Sequence, residues 1–195
     1  CKYAVIFDKD YSTEDTNTKF INSDILRRLG NSSWAHTHNG YCIESVLFSE
    51  MDKLKKFLNK ITGKDEETIN TFLDEYFYEL KQSLSNVQSN IYLNMKEKFK
   101  SQKKPTRPEL DNVEFDIYAG EAAQNIHYAM NKDNIRAFVL KIEEEWGITL
   151  FQKEDDASET FASGLLNKYI DSIEVADDIY NDYVILFRKI RDFIV

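Results

Sequence analysis

The chain reads as a helix-dominated α/β protein, and three observations point there. It opens on an apolar run of β-formers, Tyr3-Ala4-Val5-Ile6-Phe7, that ends in two carboxylates, Asp8 and Asp10. From about residue 51, apolar residues recur at helical spacing almost to the end. Breakers are scarce, with 6 Gly and 2 Pro, while 11 Tyr and 13 Phe supply bulk for a core. That balance favours long helices over a sandwich or barrel.

The elements follow in order. Residues 3–8 read as a buried strand. Ser12-Thr13-Glu14-Asp15 sets a hydroxyl three residues before an acid, a capping-box pattern, and opens a helix over about 13–29. Gly30 closes that helix. Ser33-Trp34-Ala35-His36-Thr37-His38 alternates and predicts a second short strand, placed parallel to the first by a right-handed crossover. Asn39-Gly40 marks a turn, and a helix starts near Tyr41. Met51–Ile61 is predicted as a helix ended by Gly63. Leu73, Phe77, Leu80, Leu84, Val87, Ile91 and Met95 recur at steps of three and four, one apolar stripe that predicts a single long helix over about 65–103. The stretch from Lys103 to Pro108 holds both prolines and breaks the chain. Helices are expected near 119–130, 133–146, 157–175 and 176–194. Two regions result: an α/β segment over 1–50 and a helical domain or insertion over 51–195.

Composition limits function. At 195 residues the chain can bury a full core. A net charge of −9 excludes a basic surface over the whole chain, though a local patch or bound cation can still meet nucleic acid. Cys1 and Cys42 form neither a zinc spacing nor a disulfide framework, and isolated thiols suit a reducing cytoplasm. No run of 18 apolar residues is present, so no membrane span or membrane partner is expected, and no signal-peptide pattern occurs. The chain starts at Cys1 within a few residues of a strand. This points to a piece of a longer polypeptide, with part of the fold and site upstream.

Asp8 and Asp10 lead the candidate chemistry. Residues two apart on a strand share a side, so the pair would stand together at the carboxyl end of a buried strand. Open α/β sheets place ligands there. Two hard oxygen donors suit Mg²⁺ or Mn²⁺. Glu44 falls in the first helical turn after the second strand, at the same sheet edge, and can complete a metal cluster. Its plainer role is a charge at a helix start, worth under about 1 kcal/mol. His36 and His38 share a face and can ligate metal or donate a proton, or simply end a strand. His127 reads as structural. Lys96, Lys98, Lys100, Lys103, Lys104 and Arg107, with Tyr92 and Phe99 between them, form the densest basic stretch. It reads as a solvated helix end before a phosphate-contacting arm.

The first fifty residues resemble the Toprim domain of OLD-family nucleases. The resemblance rests on Asp8-Lys9-Asp10 after a strand, a polar helix ending in Leu29-Gly30, a short strand, and Ile43-Glu44 before Val46-Leu47-Phe48. It covers about a quarter of the chain, and Ser45 stands where the family commonly has Asn. It implies the C-terminal part of a Toprim-like, Rossmann-like parallel sheet followed by a large helical region. It further implies an ATPase domain upstream, DNA as substrate, Mg²⁺ or Mn²⁺ on Asp8, Asp10 and Glu44, and hydrolysis of phosphodiester bonds. Such sites also use a lysine from the helical part, for which Lys168 is the candidate. Val5-Ile6-Phe7-Asp8-Lys9-Asp10-Tyr11-Ser12 also resembles the first motif of haloacid-dehalogenase-type phosphatases, with Asp8 as nucleophile and Asp10 as general acid/base. That family needs later strands, and Ile148-Thr149-Leu150-Phe151 is the one stretch that fits. A third reading is a non-catalytic helical interaction module. There the stripe 73–95 meets a partner helix, in this chain or in a homo-oligomer.

Overall fold

The computed structural model describes residues 3–7, 33–37, 40–101, 112–151 and 158–172. Asp8, Asp10, His38, Lys103, Lys104, Arg107 and the helices expected over 13–29 and 176–194 lie outside these residues.

Two five-residue strands, β1 (Tyr3–Phe7) and β2 (Ser33–Thr37), pair in parallel with Tyr3 opposite Ser33 and Phe7 opposite Thr37. After β2 every described element is helical: a 3-10 helix (Ile43–Phe48), α1 (Met51–Thr62), α2 (Glu66–Ser85), α3 (Asn90–Ser101), α4 (Asn112–Gln124), α5 (Ile126–Ala129), α6 (Lys132–Trp146) and α7 (Ser158–Ser172). The expectation of a Toprim-like parallel sheet is therefore corrected. Among the described residues no further strand extends the pair, and a doubly wound sheet cannot be built from two strands. The hydrophobic core belongs to the helices. Tyr41, Cys42, Leu47 and Phe48 lie in the same buried cluster as the helices that follow.

Local chemistry explains the helix ends. α1 stops at Gly63, which adopts the left-handed conformation (φ 69°) and donates its N–H to Asn59 O at 2.8 Å. Asp65 then caps α2, accepting the Thr68 N–H at 2.8 Å. α6 ends in the same way at Gly147 (φ 62°).

The stripe expected as one helix over 65–103 is divided. Asn86 is extended (φ −104°, ψ 103°) and ends α2. Its side chain accepts the Gln88 N–H at 3.0 Å and its carbonyl accepts the Ser89 N–H at 2.9 Å. Ser89 donates back to Ser83 O at 2.6 Å and accepts the Tyr92 N–H at 3.0 Å, which starts α3. Side-chain bonds to the backbone replace the helical ladder over this turn.

Aromatic side chains tie the helices together. Phe138 of α6 is fully buried and meets Phe48 at 5.1 Å, Tyr76 at 5.1 Å, Phe72 at 5.9 Å and Phe77 at 6.2 Å between ring centroids. Phe48 anchors the 3-10 helix in this cluster, which holds Glu44 one turn away against the start of α6. Among the described residues no helix is long and apolar enough to cross a membrane.

Candidate functional site

The site grows from two segments far apart in sequence, 40–48 and 126–134. Gly40 is buried, and a Cβ there would lie 2.2 Å from Ser45 Oγ, so the chain can pass only as glycine. The next turn is drawn tight. Cys42 N–H donates to Ser45 Oγ at 3.2 Å, and that hydroxyl donates to Cys42 O at 2.7 Å. Tyr41 N–H donates to His127 O at 3.3 Å, and the Cys42 thiol lies 3.7 Å from Met130 O. These contacts staple residues 41–45 onto the connection between α5 and α6.

That connection is a buried polar knot. Asn131 Oδ1 caps α6 by accepting the Asn134 N–H at 2.9 Å. Asn134 Nδ2 donates to Ala129 O at 2.7 Å, and the Tyr76 hydroxyl donates to Asn134 O at 3.2 Å. The Tyr118 hydroxyl donates to Tyr128 O. Lys132, the first residue of α6, is held in place by this frame.

Four polar residues are buried in the described chain: Glu44, Ser45, Asn131 and Asn134. The side chains of the last three hydrogen-bond to backbone groups. Glu44 does not follow the pattern. It is 6% exposed, Lys132 Nζ lies 3.9 Å from its Oε1, and its Oε2 accepts no hydrogen bond from the described residues. A contact of 3.9 Å is coulombic and longer than a hydrogen bond. A buried carboxylate oxygen without a donor is uncommon, because stripping its water costs more than a distant ammonium returns. Such an oxygen fits a hard divalent cation.

The other sequence candidates fall as follows. Asp8 directly follows β1 and lies outside the described residues with Asp10. In-register pairing of Phe7 with Thr37 brings the carboxyl ends of β1 and β2 side by side, and Glu44 comes seven residues after Thr37. His36 takes the register position opposite Ile6. Lys168 is not brought to Glu44; its ammonium sits over the Phe151 ring, 5.3 Å from the centroid. Lys132 meets Glu44 instead, a residue the sequence did not single out across 88 intervening steps of chain. Residues 148–151 are a loop rather than the strand the phosphatase motif requires, with the Leu150 N–H donating to Glu143 Oε1 at 2.7 Å. Among the described residues no group of three or more His, Cys, Asp and Glu gathers around one point.

Two lysines of the basic stretch, Lys96 and Lys98, are engaged within the fold. Lys96 pairs with Asp116 at 3.8 Å and lies over the Tyr92 and Phe115 rings. Burial and the hydrogen bond to Asp116 push the Tyr92 hydroxyl up to about 12. Lys98 pairs with Asp133. Burial alone would raise the Asp133 carboxyl, but hydrogen bonds from Lys98 and Ser158 outweigh it and hold it below its ordinary value. His127 is structural: its carbonyl holds Tyr41 and its ring packs 4.4 Å from the Tyr128 ring.

No family model matches this chain, and no curated protein and no solved structure is significantly similar to it.

Proposed function

We propose that this chain binds Mg²⁺ or Mn²⁺ through Asp8, Asp10 and Glu44 and hydrolyses DNA phosphodiester bonds. One observation carries the reading: Glu44 is buried and, among the described residues, keeps a carboxylate oxygen without a hydrogen bond. The hard oxygen set of Asp8, Asp10 and Glu44 fits either cation. A cation bound there lowers the pKa of a water and stabilises charge on the scissile phosphate.

The chain's own residues supply the rest. Glu44 offers Oε2 while Lys132 offsets the charge on Oε1. Gly40 and Ser45 hold the backbone that carries Glu44. Asp8 and Asp10 follow β1 at alternate positions, the spacing that lets both face one ligand. DNA is the proposed partner, and an ATPase domain upstream is the proposed setting.

Nicking of supercoiled plasmid in Mn²⁺ tests the reading, with Asp8→Ala, Asp10→Ala and Glu44→Gln alongside and p-nitrophenyl phosphate as a second substrate. Nicking that disappears in all three variants is expected. Turnover of the small phosphoester without nicking would replace the phosphodiester substrate by a phosphomonoester. Nicking that survives in Glu44→Gln would overturn the site.

A further inference from the structure

We propose that the lysine face of α1 is the surface along which the DNA backbone runs to the candidate site. Lys55, Lys56 and Lys64 carry the contact, each against a phosphate. The proposal rests on the phosphodiester reading and names where its substrate lies.

Charge is the first argument. Residues 51–64 hold five lysines against one acid, Asp52, in a chain of net charge −9. A local basic face on an acidic molecule is where a polyanion is steered. The five lysines are not equivalent. Lys53 pairs with Glu50 at 2.6 Å, and Lys60 donates to Ser172 O at 2.7 Å, so both serve the fold. Lys55, Lys56 and Lys64 form no ion pair with a described residue. Lys56 is exposed and the other two are half-buried. Local structure gathers the three. Asn59 lies one turn on from Lys55 and Lys56, and its side-chain amide donates to Lys64 O at 2.7 Å. The left-handed turn at Gly63 brings the chain back at that point. Asp65, the next acid, is engaged in capping α2.

Packing decides the partner. α1 buries Leu54, Phe57 and Leu58, and Met51 and Ile61 pack against the same core. Its apolar side is therefore occupied. A helix that lies in a membrane surface needs an apolar side to insert. A phosphate backbone needs only placed cations. Location points the same way. α1 packs against the 3-10 helix that carries Glu44, with only Ser49 and Glu50 between the two in sequence. Its 12 residues reach about 18 Å. That length matches several phosphates of one strand, which recur at roughly 3.4 Å along the duplex axis.

Anisotropy of a labelled DNA duplex, titrated with the full chain in EDTA, reads binding with cleavage switched off. Lys55→Gln/Lys56→Gln is compared with Lys81→Gln/Lys141→Gln, which removes the same charge from α2 and α6. The α1 pair is expected to weaken binding about tenfold or more at low salt and to lower the salt slope by about two. Lys64→Gln alone should lower the slope by about one. The control pair is expected to bind as the wild type does. Equal loss in both pairs reduces the effect to net charge and overturns the proposal. So does a slope that the α1 pair leaves unchanged, or a wild type that does not bind the duplex at low salt. Binding of the wild type to phosphatidylserine vesicles in place of DNA overturns it in favour of a membrane partner. The wild type gives a second measurement. Acetylation of Lys55 and Lys56 by acetic anhydride, scored by mass spectrometry, should fall severalfold when duplex is added, while that of Lys81 and Lys141 holds. Absence of that protection overturns the surface even where a variant fails to fold. DNA binding through α1 without nicking in Mn²⁺ would leave this surface standing and remove the hydrolysis. Nicking that the α1 pair does not slow at low DNA concentration would do the reverse.

Discussion

Gly40→Ala is the sharpest test of how the site is built. The added Cβ would lie 2.2 Å from Ser45 Oγ and 3.2 Å from both Cys42 O and Val46 N. Ser45 cannot turn away at no cost, since it is fully buried and its hydroxyl both donates to Cys42 O and accepts from Cys42 N–H. Either those bonds break or the start of the 3-10 helix shifts. Overpacking of this kind costs about 1–3 kcal/mol. The stiffer unfolded chain returns about 0.4–1 kcal/mol of that. A net loss near 2 kcal/mol follows. Ser45→Ala alone removes both hydrogen bonds between its hydroxyl and the Cys42 backbone and costs about 1–3 kcal/mol. In the double variant the closest atom is gone, and contacts at 3.2 Å ask for shifts of only a few tenths of an ångström. The two losses should therefore fall short of their sum by about 1–2 kcal/mol in a double-mutant cycle. Urea unfolding at constant m-value measures all four stabilities. Additivity within about 0.5 kcal/mol would refute the steric argument, for it would mean that Gly40 and Ser45 do not meet.

Three other outcomes are expected. Glu44→Gln should hold or raise urea stability at pH 7, by up to about 1 kcal/mol, because it removes a poorly compensated buried charge; a clear fall would show that the pair with Lys132 is a net stabiliser. Asn134→Ala removes one of two donors to the buried Ala129 carbonyl, which keeps the Asn131 N–H at 2.9 Å, and should cost about 0.5–1.5 kcal/mol, read from the same unfolding curves. Hydrogen bonds from the Thr68 backbone and side chain hold the Asp65 carboxyl below its ordinary value. Its share of stability is thus present above the unfolded pKa and lost as pH falls through the folded one. Asp65→Asn should flatten the acid side of the stability profile below about pH 4, and an unchanged profile would remove Asp65 as the helix cap.

What could be read locally was read well. Gly63 ends a helix because it alone takes φ 69° there without strain, and Gly plus a following Asp cap is visible in the letters. The false continuity over 65–103 has a definite cause. Val87 falls on the three-and-four stripe, so periodicity alone carried the helix across the turn, yet Val87 is 57% exposed. The contrary signal was Asn86 and Ser89, two residues whose short side chains compete with the helical ladder. The stronger pattern hid the decisive one because both segments belong to the same core.

Sheet extent and site geometry were beyond local reading for different reasons. Two alternating runs can announce two strands, but whether more strands join them depends on partners elsewhere in the chain, and here the described remainder is helical. Glu44 was found from its place after a strand, whereas Lys132 carries no local mark. It lies among 25 Lys and Arg, and only the stapling of Tyr41 and Cys42 to the α5–α6 connection singles it out. A buried acid with one oxygen 3.9 Å from an ammonium and the other accepting no hydrogen bond from the described residues is a poor way to stabilise a fold.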